Sequence, residues 1–66
     1  MEVTINGERR SYSPPLTIAG LLELLGINPK AVVVERNRGI LEQDALGSQF
    51  LAEGDVLEIV RLVGGG

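Results

Sequence analysis

Only one stretch of this chain has helical periodicity, and that limits the fold more than any other feature. Ile18, Leu21, Leu22 and Leu25 fall at i, i+3, i+4 and i+7, which places them on one stripe of a helix. Thr17 is suited to cap the start of that helix, and Gly26 to take the left-handed position just past its end. Gly20 weakens the helix interior, by about 1 kcal/mol relative to alanine; close packing on the sheet is one reason to have it there, and a merely exposed position is the alternative. The remaining apolar residues alternate with polar ones or sit in short β-branched runs, the patterns of strands. A lone amphipathic helix must bury its stripe against a sheet, so the expected class is α+β.

The strands can be placed in order. Met1, Val3 and Ile5 alternate with Glu2, Thr4 and Asn6, and Asn6-Gly7 supplies the turn of a two-residue hairpin. The return strand from Glu8 to about Tyr12 is polar and suits a sheet edge, with Pro14-Pro15 closing it. After a turn at Asn28-Pro29, Ala31 to Glu35 reads as a buried strand, and Asn37-Arg38-Gly39 turns the chain into a short strand at Ile40-Leu41. Residues 44–52 are irregular, with Leu46, Phe50 and Leu51 expected to plug the open end of the core. Gly54-Asp55 turns into a last strand from Val56 to Val63. Hairpin, helix and long final strand together predict a β-grasp, a mixed four- to five-stranded sheet packed on one main helix. Its first and last strands are then central and parallel, with the crossover passing through the helix. The alternative is another α+β sandwich with a different strand order. The expected division is a folded domain over residues 1–63 and a flexible glycine tail over 64–66.

Composition removes several function classes. The chain has no cysteine and no histidine, so it offers no thiol nucleophile, no disulfide and no imidazole base or ligand. Its net charge of −3 lacks the basic footprint of a nucleic-acid binder. No apolar run approaches the ~20 residues of a membrane-spanning helix, and the N-terminus has no signal-peptide pattern. A cytoplasmic location is expected. Arg9, Arg10, Arg36 and Arg38 read as solvated charges on edges and turns, Lys30 as a solvated turn residue, and the carboxylates as dispersed, with no close pair. No glycine arrangement suits a phosphate. Nothing here makes the chain an enzyme in its own right.

What is left is the end of the chain. Val63-Gly64-Gly65-Gly66 runs on from the last strand as a strip without side chains, bearing a carboxylate on Gly66. Such a strip fits a narrow channel in another protein, although a frayed terminus has the same composition. A carboxylate becomes electrophilic only when given a leaving group, and adenylation by ATP with Mg²⁺ is one route to it. On that reading a partner enzyme performs the chemistry and this protein is its substrate. Parity along the last strand adds a docking surface. If Leu57 and Ile59 face the helix, Val60 and Leu62 emerge on the outer face beside the tail, with Arg61 available to steer an acidic partner. Ordinary surface aliphatics and a solvated arginine are the plainer alternative.

The chain resembles the ThiS family, the sulfur carriers of thiamin biosynthesis. The likeness is carried by Val3-Thr4-Ile5-Asn6-Gly7-Glu8, Thr17-Ile18-Ala19-Gly20-Leu21-Leu22, Val34-Glu35-Arg36-Asn37, and Gly54 to Val60 running into Val63-Gly64-Gly65-Gly66. The segment Asn37 to Glu42 departs from the family's usual Asn-Gly-x-Ile-Val-Pro order. The resemblance implies that a ThiF-like adenylyltransferase activates the Gly66 carboxylate and that a persulfide donor converts it to a thiocarboxylate. A ThiG-like thiazole synthase then takes the sulfur. Gly64 and Gly65 would thread the tail, while Val60, Arg61, Leu62 and Val63 would dock on the enzymes. A molybdopterin-synthase small subunit type of carrier, or a ubiquitin-like modifier, would use the same tail.

Overall fold

The computed structural model describes residues 1–62. Strands β1 (Glu2–Ile5) and β2 (Glu8–Ser11) form the expected hairpin, and Asn6 and Gly7 both take positive φ, as a type I′ turn requires. Helix α1 spans Ile18–Leu24. A 3₁₀ turn at Pro29–Ala31 leads into β3 (Val32–Arg36), which pairs with β4 (Gly39–Leu41), and β5 covers Val56–Arg61. The five strands form one sheet in the order β2-β1-β5-β3-β4. β5 runs parallel to β1 and antiparallel to β3. Parallel first and last strands, joined through a helix that covers one face, define the β-grasp.

The helix is fixed at both ends by identifiable bonds. The Thr17 hydroxyl accepts from the Gly20 N–H at 3.0 Å. The other two orphan donors of the first turn, Ile18 N–H and Ala19 N–H, go to the carbonyls of Gln49 and Leu46. At the far end Gly26 adopts φ +71°, Gly26 N–H donates to Glu23, and Ile27 N–H donates to Leu22. That pair of bonds is a Schellman closure. Gly20 does not pack on the sheet as expected. A Cβ there would lie 3.0 Å from a Leu16 methyl and 3.2 Å from the Thr17 hydroxyl, so the glycine makes room for the capping loop.

The core lies between α1 and the inner face of the sheet. Ile18, Leu21 and Leu22 from the helix meet Val3, Ile5, Val32, Val34, Leu57 and Ile59 from the strands. Leu46 and Leu51 close the open end, as predicted. Phe50 does not join them and is 55% exposed. Its backbone bridges Thr17, while Leu51 N–H donates to Leu16; that antiparallel pairing buries Leu51 and leaves Phe50 pointing out.

Arg36 also departs from the sequence reading. It is not a free solvent charge: its guanidinium lies 2.9 Å from the carboxylate of Asp55, which is 5% exposed. The same carboxylate accepts from Ala52 N–H at 2.8 Å and from the Asn37 side-chain amide at 3.1 Å. Asp55 thus joins the end of β3, the turn after it and the entry to β5. No helix among the described residues is long and apolar enough to cross a membrane.

Candidate functional site

β5 outruns β1, and this shapes the end of the sheet. The parallel ladder proceeds from Thr4 N–H to the Asp55 carbonyl and from Asn6 N–H to the Leu57 carbonyl, both at 2.9 Å. Asn6 then leaves for the hairpin turn, so no backbone of β1 remains to meet Ile59. Its side chain substitutes for it. The Asn6 amide nitrogen donates to the Ile59 carbonyl at 3.2 Å, and its oxygen accepts from Ile59 N–H at 2.7 Å. On the opposite flank Leu62 N–H donates at 2.8 Å to the carbonyl of Ala31, the last residue of the 3₁₀ turn before β3, so the chain is held on that side to the last described residue. Asn37 makes the matching device at the start of β5, where its side-chain oxygen accepts from Val56 N–H at 2.9 Å. The Asn-Gly and Asn-Arg turns are legible in the sequence. That both asparagine side chains grip β5 is a long-range fact with no local signature.

The faces of β5 fall as parity predicts. Leu57 and Ile59 are buried under the helix, while Val56, Val60 and Leu62 are exposed on the outer face. Val33 of β3 stands opposite Val60, which extends the apolar surface across two strands. Arg61 keeps the inner parity but lies where the helix no longer covers the sheet. It lines two shallow grooves, one of about 230 Å³ shared with Asn6, Arg10 and Leu25, the other of about 280 Å³ shared with Gly26, Asn28 and Leu62. A larger cavity, about 530 Å³, is lined by Ala19, Pro29, Lys30 and residues 42–44 and 46–47. No residue of β5 takes part in it. Val63, Gly64, Gly65 and Gly66 lie outside the described residues.

The carboxylates are not as dispersed as the sequence suggests. Glu35 of β3 and Glu58 of β5 stand directly opposite each other, on the outer face, because their neighbours Val34 and Ile59 are buried. Their separation in sequence hides this, since only strand register brings them together.

The match that decides the family runs over nearly the whole length: the ThiS family model fits residues 3–66. The chain belongs to the ThiS family. The sulfur carrier protein ThiS of Bacillus subtilis is 42% identical over 50 residues, covering 76% of each protein. The crystal structure of the thiamine biosynthesis protein ThiS from Geobacter metallireducens superposes with a TM-score of 0.86 at 30% identity, covering 100% of both chains. The thiazole synthase of Paramagnetospirillum magneticum is 41% identical over all 66 residues. This chain spans only 20% of that enzyme's length. A ThiS-like segment therefore occurs there within a longer chain. The described residues supply β5 with Val56, Val60 and Leu62 exposed on its outer face, shortly before the glycines in the sequence.

Proposed function

We propose that this protein is a sulfur carrier of thiamin biosynthesis, acting in the cytoplasm, with Gly66 as the residue that bears the sulfur. The observation that carries the reading is the ThiS match extending through residue 66. The Gly66 carboxylate attacks the α-phosphate of ATP in a ThiF-like adenylyltransferase and releases pyrophosphate, with Mg²⁺ neutralising the phosphates. The terminal sulfur of a persulfide displaces AMP from the acyl carbon, and a second thiol of the donor system cleaves the S–S bond to free the thiocarboxylate. A ThiG-like thiazole synthase then accepts that sulfur. The occurrence of a ThiS-like segment inside a longer thiazole synthase supports this choice of acceptor. The protein supplies no catalytic group; it carries the reacting carboxylate and presents it. ATP and Mg²⁺ belong to the partner's site.

On this reading Gly64 and Gly65 thread the partner's channel, and Val60, Arg61, Leu62 and Val63 dock against its surface. Intact mass measurement after incubation with the activating enzyme, ATP, Mg²⁺ and a persulfide donor tests it. The expected product is heavier by the difference between one sulfur and one oxygen, with the change located on Gly66. A product of unchanged mass would refute the assignment. The docking role has its own test in Leu62→Asp. Leu62 is 53% exposed, so a carboxylate there costs the fold little. Binding to the activating enzyme should weaken at least tenfold while the melting temperature holds; a matching fall in both would place Leu62 in the core instead.

A further inference from the structure

We propose that the outer face of the sheet docks a protein surface that is apolar and presents a basic side chain between the carboxylates of Glu35 and Glu58. The inference rests on the carrier reading and specifies the chemistry of its docking partner. Its starting point is the register that sets Glu35 against Glu58, two strands sharing one face. Like charges directly opposite in an antiparallel pair are destabilising, and the usual remedy is a neighbouring cation. None serves here: among the described residues the ion pairs are Arg9–Glu2, Arg10–Glu8 and Arg36–Asp55. At the other edge of the same face the chain does pair its charges, with Arg9 2.6 Å from Glu2.

The surroundings make the pair part of a surface that another protein can cover. Glu58 lies between Val56 and Val60 along β5, and Ile40 stands opposite Glu35 on β4. Val56, Val60, Leu62 and Ile40 are all exposed, Ile40 to 72%. Two unpaired carboxylates within an apolar border define a complement with apolar residues around a lysine or arginine. Covering the patch would lower the local dielectric and strengthen that contact. A second copy of the chain fits poorly face to face, because it would bring four carboxylates together in a protein whose net charge is already −3. The partner that receives the tail fits well, since Val60 and Leu62 continue the patch to the end of the described strand.

The test is binding of E35Q/E58Q to the thiazole synthase of the same organism, with E23Q/E42Q as a variant of equal net charge changed elsewhere. The expected result is roughly tenfold weaker binding for E35Q/E58Q at low salt, with the difference from wild type shrinking near about 0.5 M NaCl as screening sets in. E23Q/E42Q should bind as wild type does. The melting temperature of E35Q/E58Q should stay level or rise, because the substitution relieves repulsion; a fall would assign the pair a structural role and overturn the proposal. Unchanged binding by E35Q/E58Q, in a wild-type protein that acquires sulfur on Gly66, would overturn the proposal and leave the carrier reading intact. A wild type that neither acquires sulfur nor binds would overturn both. Sedimentation showing a dimer that these substitutions dissociate, with no effect on the synthase, would assign the face to self-association and also overturn it.

Discussion

Deleting Gly65 and Gly66 should abolish sulfur transfer while leaving the fold as it was. The body of the protein is closed before the deletion begins: the buried residues of the last strand are Leu57 and Ile59, and the last described backbone bond joins Leu62 N–H to the Ala31 carbonyl. Glycine contributes no packing and costs more backbone entropy to order than any other residue. The melting temperature should therefore move by less than about 7 °C, the shift that 1 kcal/mol produces in a domain of this size. Under the proposed function transfer should fall to background, because there the Gly66 carboxylate is the reacting group and a carboxylate on Gly64 would stop two residues short of it. Scanning calorimetry and a single-turnover sulfur-transfer assay with the truncated protein read out the two halves. Residual transfer above one per cent of wild type, an arbitrary but generous limit of about two orders of magnitude, would show that the sulfur resides elsewhere.

Asp55→Ala should have the opposite profile, a large loss of stability far from the glycines. Asp55 gathers Ala52 N–H, the Asn37 amide and the Arg36 guanidinium at 2.8, 3.1 and 2.9 Å. Alanine would leave all three donors without that acceptor, and Arg36 is only 19% exposed in its side chain. Breaking a buried pair from one side typically costs about 3 kcal/mol or more. A domain this small has on the order of 5 kcal/mol in all. Urea denaturation should show a midpoint lowered by more than half, with Asp55→Asn intermediate because it retains one acceptor. A loss of about 1 kcal/mol or less would mean that water replaces the carboxylate without penalty.

Much of this architecture could be read from local pattern. Alternation from Met1 to Asn6 followed by Asn-Gly marks the hairpin, and the stripe from Ile18 to Leu25 between Thr17 and Gly26 marks the helix. Parity in β5 correctly separated Leu57 and Ile59 from Val60 and Leu62. What escaped depends on contacts between distant segments. Phe50 and Leu51 are adjacent apolar residues, and only the bridge to Thr17 determines which of them turns inward. Arg36 looks like a surface charge until β3 is laid beside the entry to β5, where Asp55 waits for it. Glu35 and Glu58 become neighbours only through strand register. Gly20 was expected to admit the sheet, yet its clearance is used by Leu16 and Thr17, which precede it by a single helical turn.

The Asn6 amide works as a stop on the length of the hairpin. Because one side chain completes the parallel ladder at Ile59, the first strand can end at Ile5, beside Leu57 and four residues before β5 ends at Arg61, and its turn does not extend alongside Arg61 and Leu62. A hairpin longer by one residue pair would put real backbone where that amide now stands and begin to cover the end of β5 on this side. How far Arg61 and Leu62 stand clear on that side is thus set partly near the start of the chain, by where the first turn is made.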